Sequence, residues 1–265
     1  MPTTYFEPDP SLAADDPTIP VFAGWFGSWR ICVHRRPMGS GELQSAYDRA
    51  AGRWARAVRR LGFEHAFRRL AARLLDEVQG REPGRALRVL DCGAGAGALS
   101  AALLRAASGP VRLDVVDLSP QMLERAQSAL AGPNGSVSLH CADARRLPFS
   151  DGEFDLVMTA HMLEHMADPD VALREMMRVL KPGGVLAACV TRKTMLGFLV
   201  HLKWRTRRIT VGEAKSWLAA AGAQSASAFP LGGGRLTRRL SLGCIGRKPA
   251  LVAGPTHKNA HNTGD

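Results

Sequence analysis

Three alternating glycines, Gly93, Gly95 and Gly97, follow an apolar run that contains Asp91. This spacing is typical of a turn between a buried strand and a helix, where a Cβ would block close approach of the backbone to a ligand. Counted as Gly93-x-Gly95-x-x-Ala98, the same residues also satisfy the dinucleotide fingerprint. The loop therefore predicts a nucleotide-like ligand and leaves a nicotinamide or flavin protein open.

Three carboxylates stand at or just after the ends of three successive apolar runs: Asp91, Asp117 and Asp143. A carboxylate two residues before the first glycine is badly suited to face a pyrophosphate, but it suits the ammonium group of a methionyl moiety. Asp117 is placed to accept hydrogen bonds from two ribose hydroxyls, and Asp143 from an exocyclic adenine amine. Together they predict a cationic adenosyl ligand.

A second constellation is the H-x-x-E-H pattern of His161, Glu164 and His165. On a helix this pattern can present two histidines to zinc, so a zinc hydrolase is one alternative. His161 could instead act as a general base for an acidic hydroxyl or an amine. It could also make only a backbone contact to the ligand, with its ring oriented by neighbours.

The elements that must position these residues follow from the hydrophobic pattern after Pro83, where apolar runs alternate with helical stretches. This alternation predicts an α/β fold, a Rossmann-like doubly wound sheet with helices on both faces. The predicted strands are 87–92, 111–117, 136–141, 154–159, 184–190, 223–229 and 240–247. The predicted helices between them are 97–107, 120–130, 168–179 and 211–221.

The segments outside this core have their own patterns. Residues 1–41 are proline-rich and predict an extended, partly disordered arm, whereas 42–82 predict a helical cap broken near Gly62. The main domain is predicted at 83–249, with 191–222 as its lid and acceptor segment. The polar residues 250–265 predict a disordered tail.

Composition and charge restrict the function classes. Hydrophobic residues make up 46% and charged residues 22%, which is typical of a globular chain. The net charge of +11 suggests an anionic partner, but solvated helix faces explain it more simply, so nucleic acid binding is not favoured. The five cysteines include no Cys-x-x-Cys pair and are expected to be reduced. No apolar run is long enough to span a bilayer and no secretory leader is evident, so a cytoplasmic location is expected.

Five ordered segments resemble the class I S-adenosylmethionine-dependent methyltransferase family, in particular the small-molecule branch with the ubiquinone and menaquinone methyltransferases. They are VLDCGAGAG, VVDLSPQML, CADARRLPF, FDLVMTAHMLEHM and RVLKPGG. The resemblance covers roughly residues 42–247. It implies a seven-stranded sheet of order 3-2-1-4-5-7-6, with the seventh strand antiparallel.

The same resemblance implies S-adenosyl-L-methionine as cofactor, S-adenosyl-L-homocysteine as product, and no metal. Asp91 and the glycines would hold the methionyl end, Asp117 the ribose, and the residues after it the adenine. Leu118 and Met122 as plain core residues, and Asp117 as part of a helix start, remain alternatives. The cofactor-binding residues so assigned are Tyr47, Asp91, Gly93, Ala94, Gly95, Asp117, Leu118, Met122, Asp143, Ala144 and Ala160.

The predicted catalytic residues are His161 and His165, because donor and acceptor meet near the end of the fourth strand in this family. The family often carries a similar histidine sequence there without a metal, which disfavours zinc. For His165 a structural role is the alternative.

The acceptor is not identified by the sequence. Residues 191–209 mix apolar and basic side chains, which predicts a cap over an apolar acceptor, contact with an anionic membrane, or contact with an acidic carrier. A packed lid with solvated arginines is the alternative. We therefore predict methyl transfer to an O, N or C atom of a small molecule. The alternatives are a lipid or quinone-like acceptor at the membrane surface, and a noncatalytic adenosyl-binding partner subunit.

Overall fold

The structure is a computed structural model that describes residues 19–26, 28–35, 62–78, 85–132, 135–196 and 207–250. The segment 36–61, which includes the first 20 residues of the predicted cap and Tyr47, lies outside the described residues. So do residues 197–206 of the predicted lid and the tail from 251 onward.

The predicted arm contains a β-hairpin that the sequence analysis did not predict. Strands β1 (Ile19–Phe26) and β2 (Trp29–Arg35) pair antiparallel, with Phe26 opposite Trp29. The aromatic residues here have roughly helical spacing, but both strands are rich in β-branched and aromatic residues, and a Gly-Ser pair separates them. That combination is a hairpin signal.

Seven further strands form one sheet in the order β5-β4-β3-β6-β7-β9-β8. All pairs are parallel except those of β9, which runs antiparallel to both neighbours. Counted from the first strand of this sheet, the order is 3-2-1-4-5-7-6, which confirms the predicted fold. The strands are β3 (Leu87–Cys92), β4 (Val111–Asp117), β5 (Ser136–Cys141), β6 (Phe154–Ala160), β7 (Leu180–Thr191), β8 (Ser225–Pro230) and β9 (Ser241–Arg247).

Helices cover both faces of the sheet, as predicted. The helices are α1 (Phe63–Val78), α2 (Ala98–Ala106), α3 (Pro120–Leu130), α4 (Pro169–Val179), α5 (Val211–Ala220) and α6 (Arg235–Leu240). Apolar residues of α1, α2 and α3 share one core cluster with one face of the sheet, and those of α4 and α5 share a second cluster with the other face. The inner parallel strands β3, β4, β6 and β7 are therefore largely buried on both sides, which explains their nearly continuous apolar sequences, whereas the edge strand β5 is partly exposed.

Helix α6 was not predicted. The six residues after Gly234 are too few to show a helical period, and four of them are exposed. Only Thr237 and Leu240 are buried and hold the helix against the domain.

The predicted break near Gly62 does coincide with the start of α1, where Gly62 adopts a φ of +80°.

Among the described residues, no helix is long and apolar enough to cross a membrane.

Leu186 tests the second core cluster, because it lies on the inner strand β7 and has 0% exposure. Leu186→Ala should lower the free energy of unfolding by roughly 2 to 5 kcal/mol, since apolar burial is lost and a cavity is left. Urea unfolding followed by circular dichroism measures this change. Lys215→Ala, on the exposed side of α5, is the matched control and should change it by less than about 0.5 kcal/mol.

Candidate functional site

The carboxyl ends of the parallel strands bring the predicted site residues to one edge of the sheet. Asp91 is the second-to-last residue of β3, Asp117 ends β4, and Ala160 ends β6. The loop after β3 is anchored to the neighbouring strand, because the N–H groups of Gly93 and Ala94 donate to the carbonyl of Val116 at 2.7 and 3.2 Å. The edge is therefore built by backbone pairing before any side chain contributes.

The glycine turn has two distinct constraints. Gly93, Gly95 and Gly97 adopt φ values of +65°, +55° and +74°, a region that side chains strongly disfavour. A Cβ on Gly93 would lie 2.4 Å from Sδ of Met162, so close packing also excludes a side chain there. A Cβ on Gly95 would meet nothing within 4 Å. The turn is therefore tight at Gly93 and open at Gly95, where a ligand could approach the backbone.

Asp91 is a buried carboxylate with only part of its hydrogen-bonding capacity used. Its side chain is 1% exposed, and Oδ2 accepts a hydrogen bond from Ser100 Oγ at 2.6 Å. Oδ1 is buried and has no partner among the described residues. Burial raises the pKa of Asp91 to about 7 against the effect of the Ser100 hydrogen bond, and the charge of Asp117 adds to the rise. An unpaired buried oxygen of this kind is suited to a cationic group.

Asp117 is held by backbone donors on both oxygens. Oδ2 accepts from Gly95 N at 2.8 Å, and Oδ1 accepts from Ser119 N at 2.9 Å. Each carboxylate oxygen can accept a further bond, so a vicinal diol could still bind there. Ser119 also caps α3, since its Oγ accepts from Met122 N at 3.2 Å. The helix start and a ligand-binding role for Asp117 are thus compatible.

The residues predicted for adenine are placed differently from one another. Leu118 is 39% exposed and available to pack on a ring, whereas Met122 is only 2% exposed, which fits a core role. Ala144 is buried. The carboxylate of Asp143 is engaged by Arg145, whose backbone N, Nε and Nη2 all donate to it. These hydrogen bonds lower the pKa of Asp143, and an adenine amine would have to share this acceptor with Arg145.

His161 follows β6 directly and has an unusual backbone. Its φ of +57° is the single positive value among the described non-glycine residues, and its N–H donates to the carbonyl of Cys189 at 2.8 Å. In the side chain, Nδ1 lies 2.9 Å from Oε1 of Glu164, and Nε2 lies 3.3 Å from Oγ of Ser241. The ring of Phe63 meets the imidazole edge-on at 5.3 Å. Backbone strain held by so many contacts is frequent at functional sites.

Glu164 orients this histidine from a fully buried position. Its Oε1 contacts His161 and also accepts from the N and Oγ1 of Thr191, at 2.9 and 2.8 Å. Oε2 has no partner within the described part of the chain. Burial alone would raise the pKa of Glu164, but the interaction with His161 and the charge of His165 outweigh it, so the pKa lies below its usual range. Thr191 pairs with Ser241 across β7 and β9, so the donor to Glu164 lies opposite the residue that contacts His161.

His165 is less suited to proton transfer than His161. Burial lowers the pKa of His165 to about 4, although the charge of Glu164 opposes the shift. Its imidazole is therefore neutral and weakly basic near neutral pH. A structural role fits these surroundings better than a catalytic one.

The geometry does not favour the zinc alternative. Residues Leu163–His165 form a 3-10 turn, so the two histidines are not presented one turn apart on an α-helix. His161 directs Nδ1 to Glu164 instead. Within the described ranges, no three His, Cys, Asp or Glu side chains are grouped as metal ligands.

Several side chains at this edge were missed as functional candidates from the sequence. The i, i+3 spacing of His161 and Glu164 could have indicated the orienting carboxylate, but we considered Glu164 only as part of a zinc motif. Arg145 lies two residues after Asp143, so its proximity was visible in the sequence. The remaining three come from distant segments and carry no local signal. The missed residues are Phe63, Arg145, Glu164, Thr191 and Ser241.

The site fits a cationic adenosyl ligand better than a dinucleotide. The ammonium group of S-adenosylmethionine would satisfy the unpaired oxygen of Asp91, and the ribose diol would meet Asp117. The open backbone at Gly95 leaves room between them. A pyrophosphate on the same turn would face two carboxylates, which repel it.

Comparison with known proteins agrees with this chemistry. Residues 90–188 match the protein family described as a methyltransferase domain. A demethylmenaquinone methyltransferase from Clavibacter sepedonicus is 38% identical over 148 residues, which are 56% of this chain and 54% of that protein. A ubiquinone/menaquinone biosynthesis C-methyltransferase from Shewanella sp. (strain ANA-3) is 39% identical over 112 residues, 42% and 44% of the two chains. The chain thus spans about half the length of these curated relatives.

Solved structures share the fold at low sequence identity. A chain from the complex of the Haloferax volcanii Trm112 methyltransferase activator covers 80% of this chain and 100% of its own length, with a TM-score of 0.60 and 22% identity. A SAM-dependent methyltransferase from Aquifex aeolicus covers 67% and 88%, with a TM-score of 0.51 and 19% identity. These structures share the predicted fold. The predicted resemblance to methyltransferases is confirmed by the family match over residues 90–188 and by the curated relatives.

The ribose assignment is tested by Asp117→Ala. Loss of a charged acceptor should weaken binding of S-adenosylhomocysteine by roughly 1 to 3 kcal/mol, measured by calorimetric titration. Asp170→Ala, at an exposed position of α4, is the control and should bind normally. Unchanged affinity in a folded Asp117 variant would remove the assignment.

The pKa of Asp91 predicts a pH-dependent affinity. Since burial raises this pKa to about 7, the ligand-free carboxyl takes up a proton as the pH falls below neutrality. An ammonium group binds the ionised form, so affinity for S-adenosylhomocysteine should fall about tenfold for each pH unit below the pKa and level off above it. Asp91→Asn should weaken binding and abolish this dependence. A wild-type affinity that is flat across neutral pH would contradict the role of Asp91.

Proposed function

We propose that this chain transfers the methyl group of S-adenosylmethionine to an O, N or C nucleophile of a small-molecule acceptor. The observation that carries the proposal is the buried carboxylate of Asp91, with one unpaired oxygen beside an open glycine turn. Such a group is costly in an unliganded core and favours an ionic partner. The methyltransferase-domain match over 90–188 supplies the reaction class.

Binding and orientation would be the main work of the site. When bound, the sulfonium supplies a methyl group that is already activated for in-line displacement. Asp91 would hold the ammonium end, Gly93 to Gly95 would contact it through the backbone, and Asp117 would fix the ribose. Tyr47, outside the described residues, remains assigned to closing the methionyl end by the resemblance alone. Aligning the reacting atoms in this way accounts for a large part of catalysis.

His161 would accept the proton that the acceptor loses. Because Glu164 is an ionised acceptor at Nδ1, it favours the tautomer with the proton on Nδ1 and the lone pair on Nε2. Ser241 Oγ is the present neighbour of Nε2, and an acidic hydroxyl or amine of the acceptor could take the same position. The proton would then move from the acceptor to Nε2, with Glu164 stabilising the resulting imidazolium.

A lipid or quinone-like acceptor at a membrane surface is the second candidate. Its support is specific: Met195, at the start of the mixed apolar and basic segment 191–209, is 84% exposed. The Clavibacter and Shewanella relatives are named as menaquinone or ubiquinone methyltransferases, and we extend that acceptor class to this chain as a proposal.

Contact with an acidic carrier through the same segment, and a cytoplasmic location, remain predictions. A noncatalytic partner role is less favoured, because the cofactor carboxylates and an oriented histidine are all present.

The base assignment predicts the behaviour of His161→Ala. Cofactor affinity should be retained, while turnover should fall by roughly 10² to 10⁴, because the methyl acceptor loses its proton acceptor. Release of S-adenosylhomocysteine, measured against pH with phenol, amine and lipid acceptors, provides the test. His65→Ala, at an exposed position of α1, is the control. Normal turnover of the His161 variant at all pH values would make this residue structural.

The proposal as a whole is tested by titrating the purified protein with S-adenosylhomocysteine and NADH in parallel. Micromolar binding of the first ligand alone would support a methyltransferase. Binding of NADH alone would overturn it. Cofactor binding without methyl transfer to any acceptor class would favour the noncatalytic partner role.

A further inference from the structure

The net charge of the chain is distributed unevenly along the sequence. Residues 1–191 contain 22 Lys and Arg and 22 Asp and Glu, so their formal charges cancel. The whole net charge of +11 therefore comes from residues 192–265, where 13 basic residues accompany two acidic ones. Random scatter of solvated arginines over helix faces does not explain this segregation.

Two of these cations have structural partners away from the candidate site. Arg247 pairs with Glu77 at 2.7 Å, and Lys248 Nζ donates to the carbonyl oxygens of Arg178 and Leu180. Both stand at the end of the antiparallel strand β9, which is the amino edge of the parallel strands. Of the other described basic residues, five lie beside the opposite edge, in α6 and directly after β7.

Helix α6 carries a cluster of those remaining cations. Thr237 and Leu240 face the core, and the other four side chains are exposed. Within the described residues, its three arginines form no ion pair with a carboxylate. The exposed residues of α6 are Arg235, Leu236, Arg238 and Arg239.

The segment after β7 is bonded to this helix. Arg192 Nη1 donates to the carbonyl of Arg238 at 2.9 Å, and Thr194 Oγ1 donates to that of Arg239 at 2.6 Å. Lys193 and Met195 beside them are exposed. We call the combined surface the basic face; it consists of Arg192, Lys193, Met195, Arg235, Leu236, Arg238 and Arg239.

The basic face borders the candidate site through the backbone. Thr191, which precedes it, bonds to Glu164, and Ser241, which follows α6, contacts His161. Glu213 is an acidic residue that interacts electrostatically with Lys193 of the basic face. The hydrogen bonds of Thr210 chiefly lower the Glu213 pKa, and the charge of Lys193 contributes to the shift. Glu213 is already engaged with Thr210 in the capping box of α5.

We propose that the basic face docks the protein on an anionic lipid surface. Exposed arginines that form no ion pair among the described residues, beside exposed aliphatic side chains, match the chemistry of an anionic membrane interface. There, headgroups attract the charges and apolar tips enter the acyl boundary. Nucleic acid would attract the same arginines, but single strands are bound largely by aromatic stacking, and Met195 and Leu236 provide none. Docking here would turn the edge with His161 toward the lipid. The inference bears on the second candidate above but does not depend on methyl transfer.

Vesicle co-sedimentation of the full chain tests the proposal. Phosphatidylcholine vesicles are compared with vesicles that also contain phosphatidylglycerol, at near-physiological salt so that weak long-range attraction is screened. We expect binding only to the anionic vesicles. The triple variant Arg235→Glu, Arg238→Glu and Arg239→Glu should lower the partition coefficient at least tenfold, because each basic residue near such a surface contributes roughly a fivefold factor.

A matched triple variant separates the basic face from total charge. Arg105→Glu, Arg112→Glu and Arg125→Glu change the net charge equally at exposed positions outside the face, and this variant should bind within about threefold of wild type. Equal loss in both triple variants would overturn the proposal, as would absent wild-type binding to anionic vesicles. Tighter binding to an RNA oligonucleotide than to vesicles at the same salt would also overturn it.

Two further variants cover folding and the apolar contribution. If far-ultraviolet circular dichroism shows that the glutamate triple variant of α6 is unfolded, the same three arginines are replaced by glutamine instead. This glutamine variant should still reduce vesicle binding severalfold. Met195→Ser with Leu236→Ser should weaken binding and increase its salt sensitivity, because only the ionic part would remain. Retained S-adenosylhomocysteine binding in a non-docking variant separates failure of docking from failure of the proposed function.

Discussion

Two buried carboxylates, Asp91 and Glu164, stand near the same edge of the sheet, and each has an oxygen without a partner among the described residues. Burying ionisable oxygens without full compensation is costly, so their surroundings determine which state each one adopts. Asp91 has one hydroxyl donor and a neighbouring acid, and burial raises its pKa to about 7. Glu164 has three donors on one oxygen, and its pKa is lowered despite complete burial. Asp91 is thus suited to bind a cation, and Glu164 orients His161.

At the opposite edge of the sheet, a buried carboxylate has all its hydrogen bonds from donors within the protein. Asp155, at the start of β6, is 1% exposed and accepts bonds from Arg85, Lys181 and the backbone N of Arg88. Burial alone would raise its pKa, but these donors lower it overall. Asp155 is therefore a structural carboxylate whose charge is compensated by donors within the protein. Contrast between the two edges supports a ligand-binding role for Asp91 more strongly than its position in a glycine motif does.

The fold explains how chemically different groups meet. Parallel strands end at one edge, so the turn after β3, the acid at the end of β4 and the histidine after β6 converge without long loops. The antiparallel strand β9 adds something that a purely parallel sheet would not. Its first residue, Ser241, lies at this same edge opposite Thr191. The last strand therefore contacts His161, which is paired with Glu164. Helix α6 precedes that strand directly, and this places the basic face beside the same site.

Local sequence determined much of this protein. Apolar runs separated by turns predicted the strand bounds of β3, β4 and β5, and the alternation with helices predicted the doubly wound sheet, because burial on both faces requires that pattern. The glycine turn and the acids at the strand ends were also predicted, since they depend on neighbours close in sequence. The hairpin β1–β2 carried a local signal that the aromatic spacing obscured. By contrast, α6 is too short to show a period.

Only the tertiary structure decided which polar groups are satisfied. Asp91 and Asp143 were both predicted as ligand acceptors, for the ammonium group and the adenine amine respectively. Within the described residues, Asp91 keeps an unpaired oxygen, whereas Arg145 engages Asp143. His161 was predicted as a base, but its orientation depends on Glu164 and on Ser241, 80 residues away. Hydrogen-bond satisfaction and burial are properties of contacts between distant segments. Residue type and spacing therefore predicted the chemistry available at the edge, whereas packing decided which groups are left to perform it.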